Sequence, residues 1–225
     1  MYDEIEKFLS EERLKPYLLK CNNNKILALK LYYLYMSINE SLYFPLQNVE
    51  LIMRNSFYNS IALKYGKDWI LEKDYLLTGL SRKKDLLQKQ LDFVYQEKIT
   101  PNINDIISNV SFGFWTTFLD DDYEVEIWRP CLRKLFNAIY INQKDILIRK
   151  EIRNKLKEIK KIRNRVFHHE NLINFNLYHC FQEIINFIML LSNELKIFTE
   201  QNSNFNKAYN RLVEFTKING IDIKK

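Results

Sequence analysis

The chain is 225 residues long, 47% hydrophobic and 28% charged, with a formal net charge of +6. That length and apolar content suit one domain with a buried core, or one domain with an appended helical subdomain, and exclude a disordered chain. No apolar run reaches the roughly 18–20 residues needed to cross a bilayer. The acidic, amphipathic start MYDEIEKFLSEERLK lacks a signal-peptide layout, so a cytoplasmic protein without membrane attachment is expected. The three cysteines, Cys21, Cys131 and Cys180, lie far apart and form neither a zinc pattern nor a disulfide framework. They read as buried free thiols.

In chain order the pattern is helical nearly throughout. A polar break at Asn22, Asn23 and Asn24 precedes a helical segment from Lys25 to Ile38. A longer helix is predicted from about Gln47 to Tyr65, because Val49, Ile52, Met53, Phe57 and Ile61 recur at helical spacing. Asp68 and Trp69 close that part. Ser81 is placed as the cap of a charged helix running to about Glu97, and Asn102 or Asn104 opens a short one. Residues 110–119, VSFGFWTTFL, are too apolar for an exposed loop and are read as the start of a buried helix. Further helices are predicted over about Tyr123 to Tyr140, Gln143 to Phe167, 175–199 and 203–218. Pro16, Pro45, Pro101 and Pro130, together with Gly66, Gly79 and Gly113, are expected to fall between helices, and Gly220 in the C-terminal tail. The expected class is all-α, with no repeat of fixed period.

Charge is concentrated in one stretch. Between Lys144 and Arg165 there are ten Lys/Arg (144, 149, 150, 153, 155, 157, 160, 161, 163 and 165) against Asp145, Glu151 and Glu158. Such a run is either a solvated helix face or a phosphate-binding one. It leads into residues 163–170, RNRVFHHE, which hold two of the chain's three histidines. An imidazole can exchange a proton near neutral pH, and a guanidinium can grip a phosphate. With Arg163 at the origin of a helical wheel, Asn164 lies at about 100° and His168 at about 140°. These three polar groups therefore share one arc. Arg163 and His168 are about 7.5 Å apart along the axis. This is a minimal kit for breaking an RNA phosphodiester without a metal. The alternative is that His168 and His169 merely end the helix, where cations suit its dipole.

Arg54-Asn55 echoes Arg163-Asn164 but has no histidine within reach. Its spacing from Glu50 suits an intrahelical ion pair; the alternative is that Arg54 or Asn55 braces the active-site helix from a neighbouring one. The SFGFW aromatics read as core, and His179 as a packed histidine on an apolar stretch.

RNRVFHHE resembles the R-x(4–6)-H signature of HEPN-domain ribonucleases, in which a polar residue typically follows the arginine. The chain is similar in particular to the Abi-like (abortive infection, AbiD/AbiF-type) family of HEPN proteins. Residues 49–69, VELIMRNSFYNSIALKYGKDW, look like that family's E-x-x-x-R-N … Y-G-x-x-W helix. Residues 111–115, SFGFW, resemble its S-F-G segment, with Trp128, Leu135 and Phe136 following at similar spacing. The match covers about residues 25–195.

The resemblance implies a HEPN-type helical bundle with additional helices, in a single domain over 1–225. Residues 1–24 would be an N-terminal extension, 25–200 the core, and 201–225 a last helix and tail. It further implies a homodimer with two facing motifs, and a metal-independent endoribonuclease needing no cofactor. Cleavage would use the RNA 2′-hydroxyl and leave cyclic phosphate and 5′-hydroxyl ends. Family members act in phage defence and toxin–antitoxin systems, some with a noncoding antitoxin RNA; DNA is not an expected substrate. By position, His168 would be the general base or acid and Arg163 would hold the phosphate. Asn164 would orient one of them, and Lys160, Lys161 and Arg165 would bind flanking phosphates. His169 fits an R-x(5)-H spacing and is the rival imidazole. The other functional classes left open are a non-catalytic RNA-binding module and a protein-interaction module.

Overall fold

A computed structural model describes residues 2–71, 89, 92, 93, 95, 96, 102–136 and 144–224. The helix predicted from Ser81 to Glu97 lies almost wholly outside these residues. Gly79, Pro101, Tyr140 and Gln143 lie outside them too. The described chain is all-α and contains no strand among the described residues. It divides into two compact units. The first is Met1–Asn48 with Glu158–Lys225, and the second is Val49–Lys157.

The first unit begins with α1 (Tyr2–Leu9) and α2 (Glu11–Lys20), each with acidic residues in its first turn and a lysine in its last, as the helix dipole favours. Asn22 and Asn23 then turn the chain with φ of 50° and 62°, a conformation asparagine tolerates. Asn24 Oδ1 accepts from the N–H groups of Ile26 and Leu27 and so caps the next helix. The predicted break at these asparagines is where the structure has it.

That next helix, α3, runs without interruption over Lys25–Tyr65. The sequence pattern predicts two helices here, parted near Pro45. Pro45 lies inside α3, and Pro16 likewise lies inside α2. A mid-helix proline costs about 3 kcal/mol. Ile38, Leu42, Leu46, Val49, Met53, Phe57 and Ile61 continue one apolar stripe across it, each no more than 1% exposed. Each such burial contributes about 1.5–3 kcal/mol, so the stripe outweighs the break.

The first unit is completed by the end of α6 (Asp145–Phe167), α7 (Leu177–Leu191), α8 (Asn193–Asn202) and α9 (Phe205–Ile218). The helix expected over 175–199 is cut at Ser192. Its backbone is extended, and its hydroxyl accepts from the Leu195 N–H to begin α8. Packing here is aromatic: Tyr17 meets Tyr32 and Tyr35 edge-on, and Phe181 stacks on Phe205 at 4.2 Å. The buried Asn48 amide donates to Thr199 at 2.9 Å.

In the second unit, α3 ends at Gly66, whose φ of 86° suits a residue without a Cβ. A short 3-10 turn, Lys67–Ile70, buries Trp69. The helix α4 (Ile103–Asn109) opens at Asn102, one of the two expected caps, through a reciprocal capping box with Asp105. Ser111 caps α5 (Phe112–Thr117), which buries Phe112, Phe114 and Trp115. These aromatics are core, as read from sequence. Gly113 lies within α5, not between helices.

Residues 121–136 form 3-10, π and 3-10 turns instead of the predicted α-helix. Pro130 explains the change. In an α-helix its ring would press on the Glu126 carbonyl and leave it without a donor. The backbone widens into a π turn, and the Tyr65 hydroxyl donates to that carbonyl at 2.6 Å. The three thiols are buried and free. No helix is long and apolar enough to cross a membrane among the described residues.

Candidate active site

The motif occupies the end of α6, in the first unit. His168 lies just past the last helical residue, yet its N–H still donates to the Asn164 carbonyl at 2.9 Å. Its backbone therefore keeps helical register, and the shared arc with Arg163 and Asn164 holds through position 168. His169 breaks from it with φ of 57°. The Glu170 N–H returns to the Arg165 carbonyl at 2.8 Å, and the His169 N–H to that of Val166 at 3.2 Å. This is a Schellman ending in which His169 takes the left-handed position usually filled by glycine.

Arg163 is half-buried. Its guanidinium carbon lies 4.4 Å from the centroid of Phe167, one turn on, and Nη1 reaches Asn164 Oδ1 at a long 3.5 Å. Phe167 is in turn stacked on Tyr43 of α3, with centroids 4.5 Å apart and planes 15° from parallel. A ring contacted on this scale holds a guanidinium with about 0.5–2 kcal/mol. His168 and His169 are both exposed.

The turn after the motif is gripped from three directions. Arg13 of α2 donates to the His169 carbonyl at 2.7 Å. The buried Asn39 of α3 donates to the Glu170 carbonyl at 3.5 Å. Arg165 pairs with Glu170 at 3.1 Å, donates to the Asn171 carbonyl at 3.4 Å and lies 5.1 Å from the Phe175 ring centroid. The structure thus ties Arg165 into the turn itself. Of the other residues expected to meet phosphate, Lys161 pairs with Glu158 at 2.7 Å, and Lys160 is half-buried.

The basic run is less free than its composition suggests. Arg149, counted above as part of the charged face, is 0% exposed. It donates to the Leu119 carbonyl at 2.7 Å, to Asp121 at 2.5 Å and to Glu124 at 3.0 Å. Arg153 pairs with Asp120 at 2.6 Å, and Lys155 approaches Glu151 at 3.8 Å. Arg149 and Arg153 are therefore committed to their own fold, and the surplus presented to solvent is smaller than the count.

Two further expectations are revised or narrowed. His179 is exposed in the first turn of α7, not packed in the core, because its backbone N–H serves the Asn176 cap and its side chain points off the apolar face. In the second unit, Arg54 is half-buried with Nε lacking a hydrogen-bond partner, and Asn55 is exposed.

Sequence reading missed Tyr43, Asn39 and Arg13. The Arg163–Phe167 contact was readable from its i,i+4 spacing. The other three come from elements more than a hundred residues away, which no local pattern reveals. No group of three or more His, Cys, Asp or Glu able to hold a metal ion occurs among the described residues.

The class defined so far is an all-α protein whose basic helix ends in an Arg-Asn-x3-His arc on a braced turn. No protein-family model matches the chain, and neither does any curated protein or solved structure.

Proposed function

We propose that this chain is a metal-independent endoribonuclease of HEPN type, akin to the Abi-like abortive-infection family. One observation carries the reading: Arg163, Asn164 and His168 share an arc whose backbone stays helical to its last member, with Arg163 held over Phe167. A ring-steered guanidinium can bind the scissile phosphate and stabilise the charge that develops on it. His168 then takes the proton from the RNA 2′-hydroxyl, or delivers one to the leaving 5′ oxygen. The bond from the 2′ oxygen to phosphorus forms as the bond to the 5′ oxygen breaks. A cyclic phosphate and a 5′-hydroxyl remain.

One arc supplies one imidazole in helical register, whereas the reaction moves protons on both sides of the phosphorus. A homodimer that faces two arcs supplies both, and it is part of the proposal. A noncoding antitoxin RNA and a role in phage defence belong to the same reading.

The test is RNA cleavage in excess EDTA by the full chain and by its Arg163→Ala and His168→Ala variants. Wild-type cleavage with both variants inactive and folded supports the assignment. RNA that binds but stays intact with the wild-type chain would point to a non-catalytic binding module. Activity that needs added magnesium or manganese would overturn the mechanism.

A further inference from the structure

The first unit also contains a cavity of about 350 Å³ between α3 and α9. Neither Arg163, Asn164 nor His168 lines it. Tyr33, Glu40 and Phe44 line it from α3, at i, i+7 and i+11 of one helical stripe. Lys207, Ala208 and Arg211 line it from α9. Lys207 and Arg211 stand one turn apart, so their Cβ atoms are roughly 5–6 Å from each other. The volume is at the small end of the range for ligand pockets and suits a compact metabolite.

Charge, more than shape, defines what the cavity accepts. Two cations stand on one wall and one carboxylate on the other, and none of the three has an ion-pair partner among the described residues. All three are exposed, so a ligand reaches them without displacing a salt bridge. Arg211 lies beside Tyr33, with its guanidinium 6.0 Å from the ring centroid. The cavity also touches Asn204, just before α9, whose side chain makes no capping bond. The dipole of α9 therefore adds to the attraction for an anion on the cationic side. Phe44, edge-on to Phe198 at 6.1 Å, and Ala208 supply an apolar surface for a few methylenes.

A simple dianion would match the two cations and be repelled by Glu40. A diamine would match Glu40 and be repelled by the opposite wall. An amino acid with a neutral side chain would leave one cation unmatched. Two carboxylates and one ammonium on a short carbon chain match all three. We propose that this cavity binds an acidic α-amino acid, of the aspartate or glutamate type. Arg211 holds one carboxylate through paired N–H donors, and Lys207 holds the other. Glu40 accepts from the ammonium. The methylenes of the ligand lie against Phe44 and Ala208.

The experiment is calorimetric titration of the full-length chain near neutral pH with L-glutamate, L-aspartate, L-glutamine, glutarate and γ-aminobutyrate. Relative to glutamate, the last three each lack one charged group: the side-chain carboxylate, the ammonium and the α-carboxylate. At least one acidic amino acid should bind about ten-fold more tightly than each of these three. Lys207→Ala and Arg211→Ala should each weaken it about ten-fold, whereas Lys217→Ala, on the same helix but outside the cavity, should not. Glu40→Gln should weaken the acidic amino acid yet strengthen glutarate, an opposition that a loss of fold cannot produce. Absence of binding by both acidic amino acids overturns the proposal. So does glutarate or glutamine binding as tightly as they do, or binding indifferent to Lys207, Arg211 and Glu40. None of the probes is RNA, so these outcomes are separate from the assignment of Arg163 and His168.

Discussion

The Arg163 guanidinium rests 4.4 Å from the centroid of Phe167, a residue that would otherwise be read as a spacer between the arginine and the histidine. The ring's own position is set by its stack on Tyr43. The proposed phosphate-binding group thus lies against a ring that is itself held in place, with a long 3.5 Å link to Asn164 beside it. Phe167 is a positioning residue in this arrangement.

Phe167→Leu should lower the RNA cleavage rate about 2- to 30-fold, the equivalent of the cation–π contribution of about 0.5–2 kcal/mol. Phe167→Tyr, which keeps the ring, should stay within about two-fold of wild type. The rates would come from single-turnover assays, with circular dichroism confirming the fold. A leucine variant as fast as the tyrosine one would show that the ring does not steer Arg163.

His169 separates the two imidazoles by conformation. A left-handed backbone costs a non-glycine residue about 1–2 kcal/mol, so His169→Gly should raise stability by about 1 kcal/mol in urea unfolding. Cleavage should persist, because His168 keeps the helical register. If the glycine variant is stable but inert, the proton-transfer role moves to position 169.

The Lys160→Glu, Lys161→Glu double variant should bind RNA more weakly and flatten the dependence of log affinity on log salt. Losing two phosphate contacts would lower that slope by about 1.4 on single-stranded RNA. The control is Lys15→Glu with Lys30→Glu, both exposed and on other helices. Equal effects from the two pairs would assign attraction to the molecule's overall charge.

Arg149 ties its helix to the segment before the π turn, and its partners set an acid limit on the second unit. The Asp121 carboxyl is held below its ordinary value, first by its hydrogen bond to Arg149 and then by that residue's charge. A carboxyl lowered on folding contributes stability above its unfolded value, about 3.9, and loses it as pH falls through the folded value. Urea midpoints should therefore fall below about pH 4, and Asp121→Asn should flatten that part of the profile. Arg149→Met should cost about 1–3 kcal/mol at neutral pH, because it takes the donors from the buried Leu119 carbonyl and from Glu124. An Arg149→Met chain as stable as wild type would show that the ion pair contributes nothing net.

Much of the helical order was legible in the sequence, and the misreadings have physical causes. Asn102 and the three asparagines before α3 acted through local hydrogen bonds, which is why local reading found them. Pro45 reads as a boundary because its intrinsic cost is large. The uninterrupted stripe from Leu42 to Val49 was equally visible and carries more energy. Ser192 gives no break in the pattern, because the residues on either side are apolar enough to continue a helix. At the candidate site the arc of Arg163, Asn164 and His168 could be drawn from spacing alone. Its bracing by Arg13, Asn39 and Tyr43 could not, since tertiary packing alone brings those side chains to it. Charge counting overstated the basic face for a related reason: composition does not distinguish a solvated lysine from an arginine folded inward.

The buried thiols have a use that packing alone does not suggest. Desolvation raises all three, Cys180 to about 11, so almost no thiolate is present at neutral pH in the closed state. Cys131 belongs to the second unit, Cys21 and Cys180 to the first. Alkylation at each position is therefore gated by local opening, and the chain carries a built-in clock in each half. Quenched labelling read by peptide mass would time the opening of the two halves separately, without any introduced probe.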